Sequence, residues 1–348
     1  MRPYLMLTIL STAVALVPAR AQAQTAAENA QPATASPSST PPSQGGGSID
    51  LTDTRILSDP LFLPRKGQVY GATAYTLDRP QGDNFKAGVN TGSFTSSDSL
   101  IDQTIAYGLL NNLTIRLVQG YGINNRDSTA AATGDVTTGS ASGFNDPTVS
   151  ATFRVLDEPR SPVILNLTAS YSPDAFAAEA SGGGSDGTVA RGGQTAGLSF
   201  ALGRVTRTFT VAATVASTHV GPQVTELLSN GTSSASTSYW SYNLGLATQT
   251  RFADRWSLDA GFAFATAGNY NVSNIETGNP HVYAPSSTHA LNLALNFHIQ
   301  PNRLVGSVTY TYNGYTDATN TFAKAALDTA VENRMSNTVG VRLLYAFN

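Results

Sequence analysis

The chain has 348 residues, of which 41% are hydrophobic and 12% charged, and its formal net charge is −3. The charged share is about half of that in ordinary soluble domains, so the composition argues against a typical cytosolic enzyme, and the weakly acidic balance argues against a nucleic-acid partner. No apolar run is long enough for a membrane-spanning helix, and the absence of cysteine excludes disulfides and thiolate metal sites.

Residues 1–23 have the organisation of a secretory signal peptide. Arg2 supplies the positive end, Tyr4 to Val17 is apolar, and Ala21-Gln22-Ala23 forms a small-residue cleavage site. We therefore expect the mature chain to start at Gln24. An uncleaved membrane anchor is the alternative, although polar residues interrupt the short apolar stretch.

Residues 24–66 are predicted to precede the folded domain. Up to about Ile49 nearly every residue is Ala, Gln, Pro, Ser, Thr or Gly, and such a composition cannot bury enough apolar surface to fold. We expect a disordered periplasmic tether there. The pre-barrel segment from Leu51 to Pro64 is more apolar, and one interpretation is that it enters the following domain from below.

From Gln68 to Asn348 the chain alternates between apolar residues and small or polar ones. In the run from Leu291 to Ile299 every second residue is apolar, and the last run, Val339 to Phe347, has the same pattern. A helix with this spacing would be apolar on every side, so the runs predict strands of period two. Counting them gives about 12 strands.

Short and long connections alternate between these strands. The short turns fall at Asn111-Asn112 and at residues 156–161, 203–205, 253–255 and 300–303. The long connections, rich in Gly, Ser, Asn and Asp, cover residues 80–97, 124–142, 173–192, 219–237, 269–286 and 316–334. This alternation is typical of an all-β, closed antiparallel up-and-down transmembrane β-barrel with short periplasmic turns and long extracellular loops, here over residues 67–348.

The composition of the polar strand face distinguishes a membrane barrel from a secreted β-sandwich or β-helix. A solvated face would carry many charges, whereas here it carries Thr, Ser, Gly, Ala and Asn with scattered Arg, as expected when apolar side chains meet outer-membrane lipid and polar ones meet a lumen. Aromatic residues near strand ends fit headgroup belts. These are Tyr121, Tyr171, Tyr239, Trp240, Tyr270 and Tyr312 on the loop side, and Phe252, Trp256, Tyr345 and Phe347 on the turn side.

Three short motifs resemble a transporter-like outer-membrane family that takes its description from the MetA pathway of phenol degradation. They are Ser58-Asp59-Pro60-Leu61-Phe62-Leu63-Pro64, Tyr107-Gly108-Leu109, and Gly143-Phe144-Asn145-Asp146-Pro147. The resemblance implies a barrel of this size, uptake of small or aromatic compounds, and no catalytic residues. The last strand also resembles the signal read by the barrel-assembly machinery, although Phe347 is followed by Asn348.

Five charged residues share the polar face and lie close to short turns or to the C-terminus: Arg116, Arg154, Arg251, Arg342 and Asp259. We expect them in the periplasmic half of the lumen. Rings of arginine favour anions, so one hypothesis is an anion-selective constriction. The other is a structural network in which the arginines pair with Asp259, Asp157 or Glu158 and pack the barrel floor.

Two connections could close the other end of the lumen. Residues 322–332 have apolar residues at helical spacing, and residues 173–180 could form one helical turn, although solvated extracellular loops are the simpler expectation.

No catalytic, cofactor or metal motif is recognisable. None of the four histidines, His219, His281, His289 and His298, has the neighbours of an outer-membrane phospholipase site. We expect a channel for passive passage of a small solute, aromatic or anionic, in a Gram-negative outer membrane. The alternative is a closed structural barrel that acts through its extracellular loops.

Overall fold

The computed structural model describes residues 57–347 except 158–160, 181–185, 207, 229–231, 275–279, 301–302 and 324–326. The predicted signal peptide and most of the predicted tether therefore lie outside the described residues. The described chain is all-β and forms a closed antiparallel barrel of 12 strands, which confirms the predicted fold class. No described helix is long and apolar enough to cross a membrane.

The barrel strands follow one another in chain order, and six of them are interrupted once. They are β1 (Val69–Lys86), β2 (Val89–Leu110), β3 (Leu113–Ala130), β4 (Val136–Phe144 and Thr148–Leu156), β5 (Ile164–Ser172), β6 (Thr195–Val205), β7 (Phe209–Val220 and Gln223–Leu227), β8 (Thr232–Ser236 and Tyr239–Ala253), β9 (Trp256–Ala267 and Tyr270–Asn274), β10 (Pro280–Ala284 and Thr288–Gln300), β11 (Leu304–Tyr315 and Ala318–Phe322) and β12 (Thr329–Phe347).

The barrel closes through its first and last strands. β1 pairs with β12 along its whole length, from Val69 opposite Phe347 to Lys86 opposite Thr329. This pairing leaves no open edge of the sheet. Closure is required in hydrocarbon, where an unpaired backbone group costs several kcal/mol.

The alternation of side chains has the predicted orientation. Leu293 is 49% exposed and Val341 55% exposed on the outer surface, whereas Asn296 and Leu344 face inward and are buried. Large apolar side chains from nearly every strand share that outer surface, which is the reverse of a soluble barrel with an apolar core. The buried apolar residues form a larger cluster at the turn end of the lumen and smaller clusters toward the opposite end.

The predicted long connections are wrong in extent, because most of them are strand. β1 and β2 are joined by the two-residue turn Ala87-Gly88, and β2 has 22 residues, about twice what a membrane-spanning strand needs. The outward side chains of this extra length, such as Ser93 and Thr95, are polar. We call the strand portions within residues 80–97, 124–142, 219–237, 269–286 and 316–334 the collar.

One predicted connection, residues 173–192, does remain largely irregular. It contains the two-residue strand Glu179–Ala180, which pairs in parallel with Glu226 and Leu227 of β7. On its other side Gly187 exchanges backbone hydrogen bonds with Ser140 and Ser142 of β4. Because β5 and β6 are short, this connection fills the gap that they leave in the collar.

Of the described residues in the two expected helical segments, only Leu327 is in a 3₁₀ turn, and none is α-helical. Residues 173–178 are irregular, and β12 begins at Thr329, inside the predicted 322–332 segment. The short turns lie close to their predicted positions, with the third displaced from residues 203–205 to the gap between Val205 and Phe209.

Candidate functional site

The turn end of the lumen is closed by residues 57–64, which we call the plug segment. Leu57 and Leu61 are fully buried and Phe62 nearly so. They pack against inward residues from seven of the twelve strands: Tyr70, Ala106, Ile164, Ala201, Ala212, Val305, Leu344 and Ala346. Burial of a large apolar side chain contributes about 1.5–3 kcal/mol, so these contacts hold the segment firmly. The interpretation that the pre-barrel segment enters from below is correct for these residues.

Asp59 anchors the plug segment to one side of the wall. Its fully buried carboxylate accepts hydrogen bonds from the Leu61 backbone N–H at 2.9 Å and from the Thr210 hydroxyl of β7 at 2.8 Å. The Arg251 guanidinium of β8 lies 3.4 Å from the same carboxylate. A buried carboxylate is stable only when it is paired in this way.

Arg154 anchors the segment from β4. Its Nη2 donates to the Leu61 carbonyl at 2.8 Å, its Nε donates to Asn166 Oδ1 at 3.0 Å, and its Nη1 lies 3.2 Å from Asp157. The pairing with Asp157 is one of the contacts that the structural-network hypothesis predicts. The contacts with the plug segment are not part of that hypothesis.

Gln249 links the plug segment to Asp259. Its side-chain amide lies within hydrogen-bond distance of the Ser58 carbonyl at 2.9 Å and of Asp259 Oδ1 at 2.8 Å. Gln249 is fully buried on β8, and Asp259 faces it from β9. The predicted carboxylate is therefore part of the plug contact.

Two glycines make room for the plug segment where it enters the wall. A Cβ on Gly108 would lie 1.9 Å from the Arg65 carbonyl oxygen, and one on Gly203 would lie 2.5 Å from the Leu61 side chain. The Gly108 backbone also pairs with the chain that leaves the lumen, since Gly67 donates to its carbonyl and its own N–H donates to Gln68. A side chain at either position would collide with the segment.

The remaining two predicted arginines flank the plug segment. Arg116 on β3 and Arg342 on β12 are half-buried and close enough to the buried Tyr70 to interact with it electrostatically. The Tyr70 ring packs against Phe62 at 5.3 Å between centroids. All five predicted residues thus converge on the floor of the lumen, and the structure adds Asp59 as the partner that the sequence did not reveal.

The motifs that carry the family resemblance have structural roles here. The first motif is the plug segment, and the second contains Gly108. In the third, Asp146 accepts hydrogen bonds from the backbone N–H groups of Ala175, Phe176 and Arg191, at 2.9 to 3.2 Å. Asp146 therefore fixes the 173–192 connection against the interruption in β4.

Two further arginines face the lumen in the collar, and sequence reasoning missed both. The Arg126 guanidinium stacks over the Phe94 ring at 4.0 Å, and that of Arg334 stacks over Tyr315 at 4.2 Å. Their predicted positions were loops. Arg334 could have been found from its position eight residues before Arg342 on β12. Residues an even number of positions apart on a strand face the same side, so both arginines face the lumen.

Two of the expected headgroup aromatics also face inward. Tyr239 and Tyr270 are buried in the lumen, where they stack at 4.4 Å between centroids. Together with Tyr283, Val220, Val272 and Ala318 they form an apolar cluster inside the collar. Their assignment to the loop-side belt is wrong for two reasons. Tyr239 directly precedes the outward Trp240 in the same strand and therefore faces inward, and the interruption of β9 before Tyr270 reverses the alternation there.

A Ser–His pair is also present in the floor. The Ser257 hydroxyl lies 3.0 Å from His298 Nε2, and both residues are buried. His298 Nδ1 has no hydrogen-bond partner among the described residues, so no carboxylate orients the ring as in a nucleophilic triad. Within the same residues no group of three His, Cys, Asp or Glu could hold a metal ion.

Comparisons with known proteins show the fold. No protein-family model and no curated protein matches the sequence. Among solved structures, the chain is similar to an outer membrane channel from Pseudomonas putida F1, at 14% identity over 87% of this chain and 100% of the channel, with a TM-score of 0.55. It is also similar to the transport unit of the autotransporter AIDA-I from Escherichia coli, at 12% identity over 81% of this chain and 91% of that unit, with a TM-score of 0.52. The chain therefore has the fold of a Gram-negative outer-membrane β-barrel.

Proposed function

We propose that this outer-membrane barrel is a passive channel for small solutes and that the plug segment controls its turn end. The observation that carries the proposal is the nature of the closure. The floor is closed by a chain segment that is not one of the barrel strands. Hydrogen bonds and apolar contacts hold this segment inside the lumen. Such a segment can leave without breaking the backbone ladder of the barrel, whereas a lumen packed shut by wall side chains could not open.

The solute class follows from two lines of support. The family resemblance suggests small or aromatic compounds, and the lumen carries arginines near its floor. Arg116 and Arg342 are half-buried beside the plug segment, so their charge would face a solute that passes once the segment has moved. We propose that these two residues favour anions, whereas Arg154 and Arg251 hold the plug segment.

Two surface properties complete the proposal. The apolar outer surface would contact outer-membrane lipid, and β12 would carry the signal for the barrel-assembly machinery. A closed structural barrel is a second candidate, because Leu57, Asp59 and Leu61 are fully buried. In that case the collar would be the functional part.

Planar-bilayer recording of the purified chain tests the channel. We expect discrete conductance steps, and we expect Arg154→Ala to raise the open probability because Leu61 loses its anchor. A chain that gives no steps at any voltage, in the intact or the Arg154→Ala form, while migrating as a folded, heat-modifiable band would favour the closed barrel.

The reversal potential in a salt gradient tests selectivity. Arg342→Ala should shift it toward cation preference, because a half-buried lumenal charge is lost. Arg79→Ala is the matched control, since Arg79 is exposed in the middle of β1, on the same face as the outward Tyr75, and not in the lumen. An equal shift in both variants would contradict the assigned role of Arg342.

A further inference from the structure

Arg334 is a buried charged residue inside the collar. It belongs to the inward set of β12 and is only 6% exposed. Its guanidinium carbon lies 4.2 Å from the centroid of the Tyr315 ring. Among the described residues none forms an ion pair or a hydrogen bond with it, and its buried Nε is unsatisfied.

This arrangement differs from that of the floor arginines. Arg154 donates to three acceptors, and Arg251 pairs with Asp59. Burial of a guanidinium is costly unless it is paired, and stacking on an aromatic ring offsets only part of that cost. Stacking also leaves the N–H groups free in the plane of the guanidinium, the geometry that binds a carboxylate with two parallel hydrogen bonds.

A second buried polar group faces the same interior of the collar. Tyr283 on β10 is 1% exposed, its hydroxyl has no hydrogen-bond partner among the described residues, and it is close enough to Arg334 to interact electrostatically. Asn320 faces Tyr283 across the β10–β11 pairing and has an unsatisfied Oδ1. The Arg334 guanidinium and the Tyr283 hydroxyl are therefore two donors within electrostatic range of each other, whereas the Asn320 oxygen is an acceptor and contributes nothing to an anion.

The rest of the site is aromatic. The Tyr270 ring lies 5.1 Å from Tyr283 and 4.4 Å from Tyr239, so three rings form a continuous surface across β8, β9 and β10. Aromatic pairs prefer such tilted or offset contacts, and an added ring would extend the stack. An apolar, ring-lined wall next to an unpaired guanidinium is complementary to a molecule with a ring and a carboxylate.

We propose that a small aromatic carboxylate binds inside the collar, with its carboxylate on Arg334 and the Tyr283 hydroxyl and its ring against Tyr270 and Tyr239. The proposal rests on the channel function and deepens it, because it names the class of solute that the collar collects. Benzoate is the simplest probe of this chemistry.

Isothermal titration of the folded full chain in detergent tests the site. We expect benzoate to bind more tightly than benzyl alcohol, which lacks the charge, and than acetate, which lacks the ring. Arg334→Gln should weaken benzoate binding about tenfold or more, and Tyr283→Phe several-fold, because a hydrogen bond to a charged group is lost. Arg126→Gln is the matched control, since it removes another lumenal guanidinium stacked on a ring.

The outcomes separate the site from the channel. Equal affinity for benzoate in the intact chain and in Arg334→Gln, or no preference of the intact chain for benzoate over benzyl alcohol, would overturn the site. An equal loss in Arg126→Gln would also overturn it, because the effect would then reflect lumenal charge in general. Conductance without benzoate binding refutes the site alone, whereas Arg334-dependent binding without conductance refutes the channel and leaves the site standing.

Discussion

At the scale of single residues, Asp59 is the charged residue of the plug segment that the wall binds directly. Its carboxylate accepts hydrogen bonds from the Leu61 backbone and the Thr210 hydroxyl and forms an ion pair with Arg251, and the carboxylate is fully buried. Removing one member of such a group leaves the others buried and unsatisfied, which costs about 3–5 kcal/mol for an ion pair. The wall of the barrel does not depend on these contacts, because backbone pairing holds it.

Asp59→Ala should therefore expose the plug segment without unfolding the barrel. Phe62 is buried in the intact chain, so chymotrypsin cleavage after it requires local opening. A loss at the lower end of that range, about 3 kcal/mol, corresponds to cleavage roughly 150-fold faster. The control is Asp83→Ala, which removes the acceptor of the Asn333 side chain in the collar. Unchanged cleavage at Phe62 in Asp59→Ala would show that the carboxylate does not retain the segment.

The sequence predicts the orientation of a site residue only where that residue lies in a run of alternating apolar and polar residues. Arg154 and Arg342 lie in runs with one apolar face, so their inward orientation follows from alternation. Arg126 and Arg334 lie in the collar, where their neighbours in the sequence are mostly polar on both faces, so no run of alternating apolar residues marks their orientation. The Asp59–Arg251 pair joins residues far apart in the chain, and no local pattern predicts it.

At the scale of elements, the collar explains why the loops were overestimated. A membrane-spanning strand shows period two because one face meets lipid. In the collar the outer face meets water, so Ser, Thr, Gly and Asn occur on both faces and imitate a loop. The strands persist there because neighbouring extensions satisfy each other's backbone groups, as β1 and β2 do up to Lys86 and Val89.

The Ala87-Gly88 turn gives a test of this hairpin. Both residues have positive φ, 49° and 78°, as a type I′ turn requires. Alanine is strained in that region by about 1 kcal/mol, so Ala87→Gly should stabilise the hairpin. The amide of residue 87, which donates to the Asp328 carbonyl, should exchange with solvent about fivefold more slowly. Ala74→Gly, inside β1, should weaken its strand instead, and faster exchange in Ala87→Gly would contradict the turn.

At the scale of the whole molecule, the outer surface determines where the barrel is stable. Leu293 lies in the middle of the exposed apolar surface, and Ser93 faces outward in the collar. Arginine on a lipid-facing strand costs about 2–4 kcal/mol at the bilayer midplane and about 0–1 near the interfaces. The free-energy cost of arginine therefore differs between Leu293 and Ser93 only if Leu293 lies in lipid and Ser93 lies outside it.

Urea titration of the barrel folded in lipid vesicles measures that difference. Leu293→Arg should lower the free energy of unfolding by about 2–4 kcal/mol, and Ser93→Arg by no more than about 1. Equal costs at the two positions would contradict the assignment of the apolar surface to lipid.

Solute flux into proteoliposomes tests most directly whether the lumen is a pathway closed by the plug segment. Light scattering after mixing with a pentose follows the rate at which the solute enters. The pentose should enter faster than into protein-free liposomes, and faster through Asp59→Ala than through the intact chain. Entry at the protein-free rate for both chains, with both migrating as folded barrels, would contradict it.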